Sequence, residues 1–342
     1  MAGAVLALLA LASSVAVATA TPPGARLAIG GHAGVGSEVI TTGPMGGDPQ
    51  SLVADPDYWT IGSTLSWSAD GSLLAFLVSG PFPELSSGAF GSGWSVVAVA
   101  KADGSGSRVY PRAFLNAGEP VMAPDGGSVV FQRVKLVKVL PGRESYLFKS
   151  AIWSLDTEDG AVRQLTRWRV GAFLNPTSFS PDGSTLAAEY SYRSQFRAVA
   201  IDLRSHRISP LALDASELTY SPDGARLAFI RLRNRNHTSS LPELPISELL
   251  VADADGTGVK RLLRGRGYIS APSWDPSGSR LVFTRNPPAE ATGDLEPEPG
   301  NKVMAINADG TCLARVFTDP EVTLDGAAWQ PGIGREAGPI VC

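Results

Sequence analysis

Three sets of side chains in this 342-residue sequence have the types and spacing to do chemistry or to bind. Glu119, Asn175, Glu217, Ser270 and Asp325 recur at related places, each shortly ahead of a strand that ends on an apolar or aromatic residue. A ring of such groups at a tunnel mouth would suit a cation or a partner's amino group. Two carboxylates among Glu119, Glu217 and Asp325 at a defined separation would suit acid–base cleavage of a saccharide or lactone. The plainer role for the same side chains is to bond the backbone of a chain crossing. The second set is basic. Arg231, Arg233 and Arg235 alternate, so an extended segment puts them on one side. Arg193 and Arg197 flank one short connection, and Arg133, Lys135, Lys138 and Arg143 surround Pro141-Gly142, which reads as a hairpin tip. The third set is acidic: Glu290, Asp294, Glu296 and Glu298. A basic sector beside an acidic one fits a partner with complementary or anionic groups, though solvated loops carry such charges too.

Other chemistries lack their residues. His32, His206 and His237 stand far apart, and none pairs with a Cys or a second His at ligand spacing, so no metal site or cofactor is expected. No Gly-x-Ser-x-Gly elbow occurs, which removes an α/β-hydrolase. The Asp-Gly pairs suggest calcium or a sialidase box, yet Ser180-Pro181-Asp182-Gly183-Ser184-Thr185-Leu186 lacks the box's Gly-Thr-Trp order and reads as a turn. No catalytic residue is assigned.

The elements that position these groups come from a repeat. Phe179-Ser180-Pro181-Asp182-Gly183 returns as Tyr220-Ser221-Pro222-Asp223-Gly224. Looser copies are Trp67-Ser68-Ala69-Asp70-Gly71, Met122-Ala123-Pro124-Asp125-Gly126 and Trp274-Asp275-Pro276-Ser277-Gly278, with Trp329-Gln330-Pro331-Gly332 as a worn sixth. Pro presets φ, Asp bonds back to the local backbone, and Gly takes the positive φ of a tight turn. An apolar strand follows each full copy. A second phrase, Val251-Ala252-Asp253-Ala254-Asp255-Gly256, matches Ala305-Ile306-Asn307-Ala308-Asp309-Gly310 and marks a third strand turning into a fourth. Each unit is then a four-stranded antiparallel meander, the blade of a propeller.

The chain ends set the count. Gly24-Ala25-Arg26-Leu27-Ala28-Ile29 nearly repeats Gly224-Ala225-Arg226-Leu227-Ala228-Phe229, so the mature chain begins at a second strand, and Ala327-Ala328-Trp329 supplies the missing first one. The fold expected is all-β: a six-bladed β-propeller closed by pairing of N- and C-terminal strands in one blade. Large connections fall between second and third strands (Pro81 to Gly93, Arg133 to Tyr146, Asn234 to Ile246, Asn286 to Gly300), all on one face of a meander. Insertions gathered on one face often mark the binding side. The first-strand residues Trp67, Met122, Phe179, Tyr220, Trp274 and Trp329 read as packing between blades.

These phrases resemble the repeats of the TolB-like β-propeller family, with its aromatic-Ser-Pro-Asp-Gly turn and short Leu-Ala-Phe-like strand. The resemblance runs from about Ala25 to Gly332 and implies an exported binding propeller, here without the α/β domain that precedes the propeller in TolB. Such folds host many functions, so it implies no catalytic residue.

Composition bounds the rest. Gly 37, Pro 26 and 18% charged residues favour short elements and tight turns. A net charge of −4 leaves no overall basic field for nucleic acid. Residues 1–20 carry no charge, hold an apolar block from Val5 to Ala12 and end in Ala18-Thr19-Ala20, the pattern of a cleaved secretory leader. The block is short for a transmembrane helix. The expected mature protein is a monomeric extracytoplasmic domain over residues 21–342. Its partner is a protein or an envelope polymer. The two cysteines, Cys312 and Cys342, would form one disulfide in an oxidising compartment, clipping the tail 333–342 to the last full repeat.

Overall fold

The computed structural model describes residues 26–32, 37–55, 60–61, 64–80, 94–110, 117–140, 145–192, 195–211, 214–233, 245–286, 302–319, 322–332 and 339–342. The leader, Arg143, Arg193, Arg235 and the acidic run from Glu290 to Glu298 lie outside the described residues.

The repeated phrase folds as its chemistry requires. In blade three the Gly183 N–H donates to Ser180 O at 2.8 Å, and the Ser184 N–H donates to Asp182 Oδ1 at 3.1 Å. The Ser180 hydroxyl donates to Asp182 at 2.6 Å and accepts the Thr185 N–H at 3.0 Å, so one side chain ties turn to strand. Ser68 and Ser221 repeat this pattern, and Asp275 replaces the serine in blade five by accepting from the Arg280 N–H at 2.9 Å. The turn glycines Gly71, Gly126, Gly183, Gly224 and Gly278 share φ between 68° and 72°.

Six sheets result, each a meander of four steps. Blade one runs through Thr60–Ile61 and Ser66–Trp67 (an interrupted first strand), Leu73–Gly80, Trp94–Lys101 and Ser107–Val109. Blade two comprises Ala117–Met122, Ser128–Leu140, Ser145–Asp156 and Val162–Gln164, with Arg169–Val170 added beside the third strand. Blade three is Ala172–Phe179, Thr185–Tyr192, Gln195–Asp202 and Ile208–Pro210. Blade four is Ser216–Tyr220, Arg226–Arg233, Ile246–Asp253 and Lys260–Arg266. Blade five is Tyr268–Trp274, Arg280–Asn286, Lys302–Asn307 and Ala314–Phe317. Blade six joins the chain ends: Thr323–Trp329, then Leu27–His32, Ser37–Thr42 and Gln50–Asp55. Leu27 pairs with Trp329 and Ile29 with Ala327, so the ring has no open edge at its seam.

Apolar packing closes the ring. Each of the six neighbouring blade pairs shares its own buried cluster, including the seam, where Trp67, Leu74 and Phe76 meet Ala28, Val39 and Ala328. Phe76, Phe131, Phe229 and Phe283 occupy one second-strand position and are fully buried. Each contributes roughly 1.5–3 kcal/mol by leaving water. The first-strand aromatics pack between blades. The Trp67 Nε1–H donates to Ala328 O at 3.3 Å and the Trp274 Nε1–H to Thr219 O at 3.2 Å. A serine one residue before the wedge position staples the next blade: Ser66, Ser178 and Ser273 accept the N–H of Met122, Tyr220 and Trp329. No helix among the described residues is long and apolar enough to cross a membrane.

Candidate functional site

In an antiparallel meander, the second-to-third connections and the blade crossings leave by the same face. Blade two raises that face. Its second strand has 13 residues against 8 in blades one, three and four, and pairing continues to Leu140 opposite Ser145. The extra length is about 15 Å. Its tip, Pro141-Gly142, lies outside the described residues.

Alternation along this hairpin gathers cations and rings on one side. Arg133 lies over the Trp153 ring at 4.9 Å, while Lys135 and Lys149 lie over Trp168 at 5.4 and 5.1 Å. The two tryptophans are 6.1 Å apart. Lys135 and Lys149 are direct cross-strand partners, an arrangement that sets like charges opposite each other. The charge of Arg133, partial burial and the charge of Lys149 together hold the Lys135 ammonium below its usual value. Of this group the sequence pointed to Arg133 and Lys135. It missed Lys149, Trp153 and Trp168, which converge only through strand register.

Blade four carries a second basic group. Arg231 and Arg233 do share a side, as their alternation predicts, but they do not stand alone. Glu248, opposite Arg231 on the third strand, takes contacts from Arg233 Nε at 3.3 Å, Arg261 NH1 at 3.2 Å, Arg264 Nε at 3.9 Å and Arg231 NH1 at 4.0 Å. Burial pushes its carboxyl up, but hydrogen bonds and charge from Arg233 and Arg261 outweigh that and hold it below its ordinary value. Arg231 also donates to Asp214 O at 3.2 Å. Arg197 is exposed on blade three, opposite Tyr190.

The set expected at the tunnel mouth lies elsewhere than on the crossings. Glu119, Asn175, Glu217, Ser270 and Asp325 stand within the first strands, not on the crossings ahead of them. Nor do they form one level. Glu119 and Glu217 come three residues before Met122 and Tyr220, whereas Asn175, Ser270 and Asp325 come four before Phe179, Trp274 and Trp329. Register shifts break the first-to-second pairing at these places, and Glu119, Glu217 and Ala271 take φ of 44°, 51° and 51° there. First strands line the central channel of a propeller. Each bulge re-aims its side chain.

Two residues of the second strands complete this group, Gln132 and Glu189, both buried. The Gln132 amide donates to Asn175 Oδ1, joining blades two and three. The Ala271 N–H donates to the Glu217 carboxylate, joining blades four and five. Burial, then the charges of Glu217 and Glu189, push the Glu119 carboxyl up to about 8. Burial also pushes Glu217 up to about 7, against the pull of the Ala271 bond. A polar residue inside an otherwise apolar strand, as at Gln132 and Glu189, was the available sequence signal. Among the described residues no group of three His, Cys, Asp or Glu side chains could hold a metal ion.

Cys312 and Cys342 are bonded, with Cα atoms 5.5 Å apart. The tail is held besides by Asn307, whose side chain donates to Ile340 O at 2.9 Å and accepts the Ile340 N–H at 2.7 Å.

Six meanders of this kind, closed by a shared blade, define a six-bladed β-propeller. No protein-family model matches the chain. A 114-residue stretch is 29% identical to the Tol-Pal system protein TolB of Alkalilimnicola ehrlichii, covering 30% of this chain and 25% of that relative, about a quarter of its length. The crystal structure of TolB from Acinetobacter baumannii superposes with a TM-score of 0.63 at 15% identity, over 90% of this chain and 67% of that one. A chain of a nidogen/laminin complex superposes with a TM-score of 0.62 at 12% identity, over 92% of this chain and all of the other. The chain thus shares the six-bladed propeller fold of TolB and has a stretch of sequence similar to it.

Proposed function

We propose that this propeller is a non-catalytic binding scaffold that works outside the cytoplasm and holds a protein partner or an envelope polymer on its insertion-bearing face. The observation that carries the proposal is the gathering of basic side chains at that face. Arg133, Lys135 and Lys149 crowd one side of the raised hairpin of blade two, and Arg231, Arg233, Arg261 and Arg264 crowd blade four. The whole chain carries −4, so these groups run against its overall sign. The Cys312–Cys342 bond supports an oxidising compartment, and with it the leader read over residues 1–20. The matched relative is by name a component of a Tol-Pal system, which supports an envelope setting.

Affinity capture from native envelope extract tests the proposal, with the chain from Thr21 as one bait and a Lys135→Ser/Arg233→Ser chain as the other. A partner retained by the first and lost by the second supports it. Equal retention by both baits places binding elsewhere.

A second reading, a propeller enzyme acting on a saccharide or lactone, draws on Glu119. A carboxyl held near 8 keeps its proton at neutral pH, as a general acid must. Turnover of such substrates, lost in Glu119→Gln, would support it.

A further inference from the structure

We infer that the arginine quartet of blade four is a docking point for a carboxylate-rich segment of a protein partner. The inference rests on the binding-scaffold reading and names the chemistry of one place on that face. Four guanidinium groups surround one carboxylate, which leaves three positive charges in excess among the described residues. Among the described residues no second carboxylate comes within ion-pair distance of any of the four. Glu248 is 6% exposed at the base, while Arg233, Arg261 and Arg264 are 50%, 53% and 52% exposed above it.

That layering is more than a structural ion pair requires. A single arginine would neutralise Glu248, and exposed pairs contribute only about 0–1 kcal/mol. Three further guanidiniums within a few ångströms repel one another. Glu248 takes one close nitrogen from Arg233 and one from Arg261, so most of their remaining donors face outward. The acid thus works as an anchor that orients forks already matched to planar carboxylates. Arg231, 17% exposed, is fixed from below by its bond to Asp214 O and by the Phe229 ring at 5.7 Å.

An acidic peptide fits better than an anionic polysaccharide. Sugar rings bind on exposed aromatic faces, and among the described residues the ring in contact with the quartet, Phe229, is fully buried. The rings of blade two lie on a different blade, beside Arg133 and Lys135.

The test titrates the whole mature chain with a fluorescein-labelled hexaglutamate peptide by anisotropy, with dextran sulfate and labelled hexalysine in parallel. Hexaglutamate is expected to bind and hexalysine not to. Arg261→Ser/Arg264→Ser should weaken hexaglutamate by about tenfold or more. Glu248→Gln should tighten it by about threefold, because an internal competitor is removed. A scaffold-only role for the quartet moves neither. If the double serine variant does not fold, Arg261→Lys/Arg264→Lys keeps the charge, loses the forks and should still weaken binding. The inference is overturned by hexaglutamate that fails to bind, by equal binding to wild type and variants, or by dextran sulfate binding where the peptide does not. If the peptide binds as expected but envelope extract yields no partner, only the scaffold reading falls.

Discussion

Glu119 and Glu217 occupy the same bulge of the first strand in blades two and four, each in the left-handed region of φ, and the charge of Glu217 bears on Glu119. The bulge is repeated in blade five by Ala271, whose N–H binds the Glu217 carboxylate. The propeller therefore keeps two acidic groups in a deep, weakly hydrated wall with no cation in ion-pair contact among the described residues, and both carboxyls are pushed up toward the protonated form.

That arrangement fixes a pH dependence. Both groups release their protons near 4.5 when the chain is unfolded, and near 8 and 7 when folded. The folded state thus binds more protons between these values, and stability must fall as pH rises through them. Their contribution is complete below about 4.5 and is lost by about 8. Urea unfolding at a series of pH values should show a decline of up to about 1.4 kcal/mol per pH unit for each proton held. Glu119→Gln should flatten the decline and make the protein more stable than wild type at the alkaline end.

Lys135 and Lys149 face each other across blade two as direct cross-strand partners. Lys149→Glu turns this into an opposite-charge pair. It should stabilise the fold by about 0.5–1 kcal/mol, read as a rise in urea midpoint that fades with added salt.

Two turn glycines with nearly the same backbone should respond differently. Gly71 and Gly104 have φ of 70° and 72°, so alanine at either position costs about 1 kcal/mol in backbone strain. A Cβ on Gly104 meets nothing within 4 Å, but one on Gly71 would lie 2.1 Å from Pro331 O, backbone of the closing segment. Gly71→Ala should therefore cost several times as much as Gly104→Ala, measured by chemical unfolding.

The tail is held by the disulfide and by the paired hydrogen bonds of Asn307 with Ile340. The bond closes a separation of 30 residues, and its removal by Cys342→Ser should cost about 3–4 kcal/mol on the chain-entropy account. The midpoint of thermal unfolding with and without reductant checks this, since the serine variant should no longer respond to reductant.

Architecture was legible in the sequence because the repeat encodes local bonds. Ser180, Asp182 and Gly183 specify their turn within a few residues, and copies of that phrase specify the blades. The seam was legible too, since Arg26-Leu27-Ala28 copies Arg226-Leu227-Ala228. The sites were only half legible, because they depend on register across strands. Arg231 and Arg233 were visible as an alternating pair, but Arg264 meets Glu248 as its direct cross-strand partner and Arg261 reaches it from beyond a register shift between Leu249 and Leu250 that no local pattern announces. One bulge likewise separates Glu119 and Glu217 from the level of Asn175, where Pro176 takes the equivalent place.

The most direct test of the binding scaffold is hydrogen exchange of the chain from Thr21 with and without its captured partner. The account predicts added protection on the insertion-bearing face, at Arg133–Leu140 and Ser145–Lys149 of blade two and at Ile246–Glu248 of blade four. Protection confined to the Pro-Asp-Gly turns on the opposite face, or none at all, would contradict it.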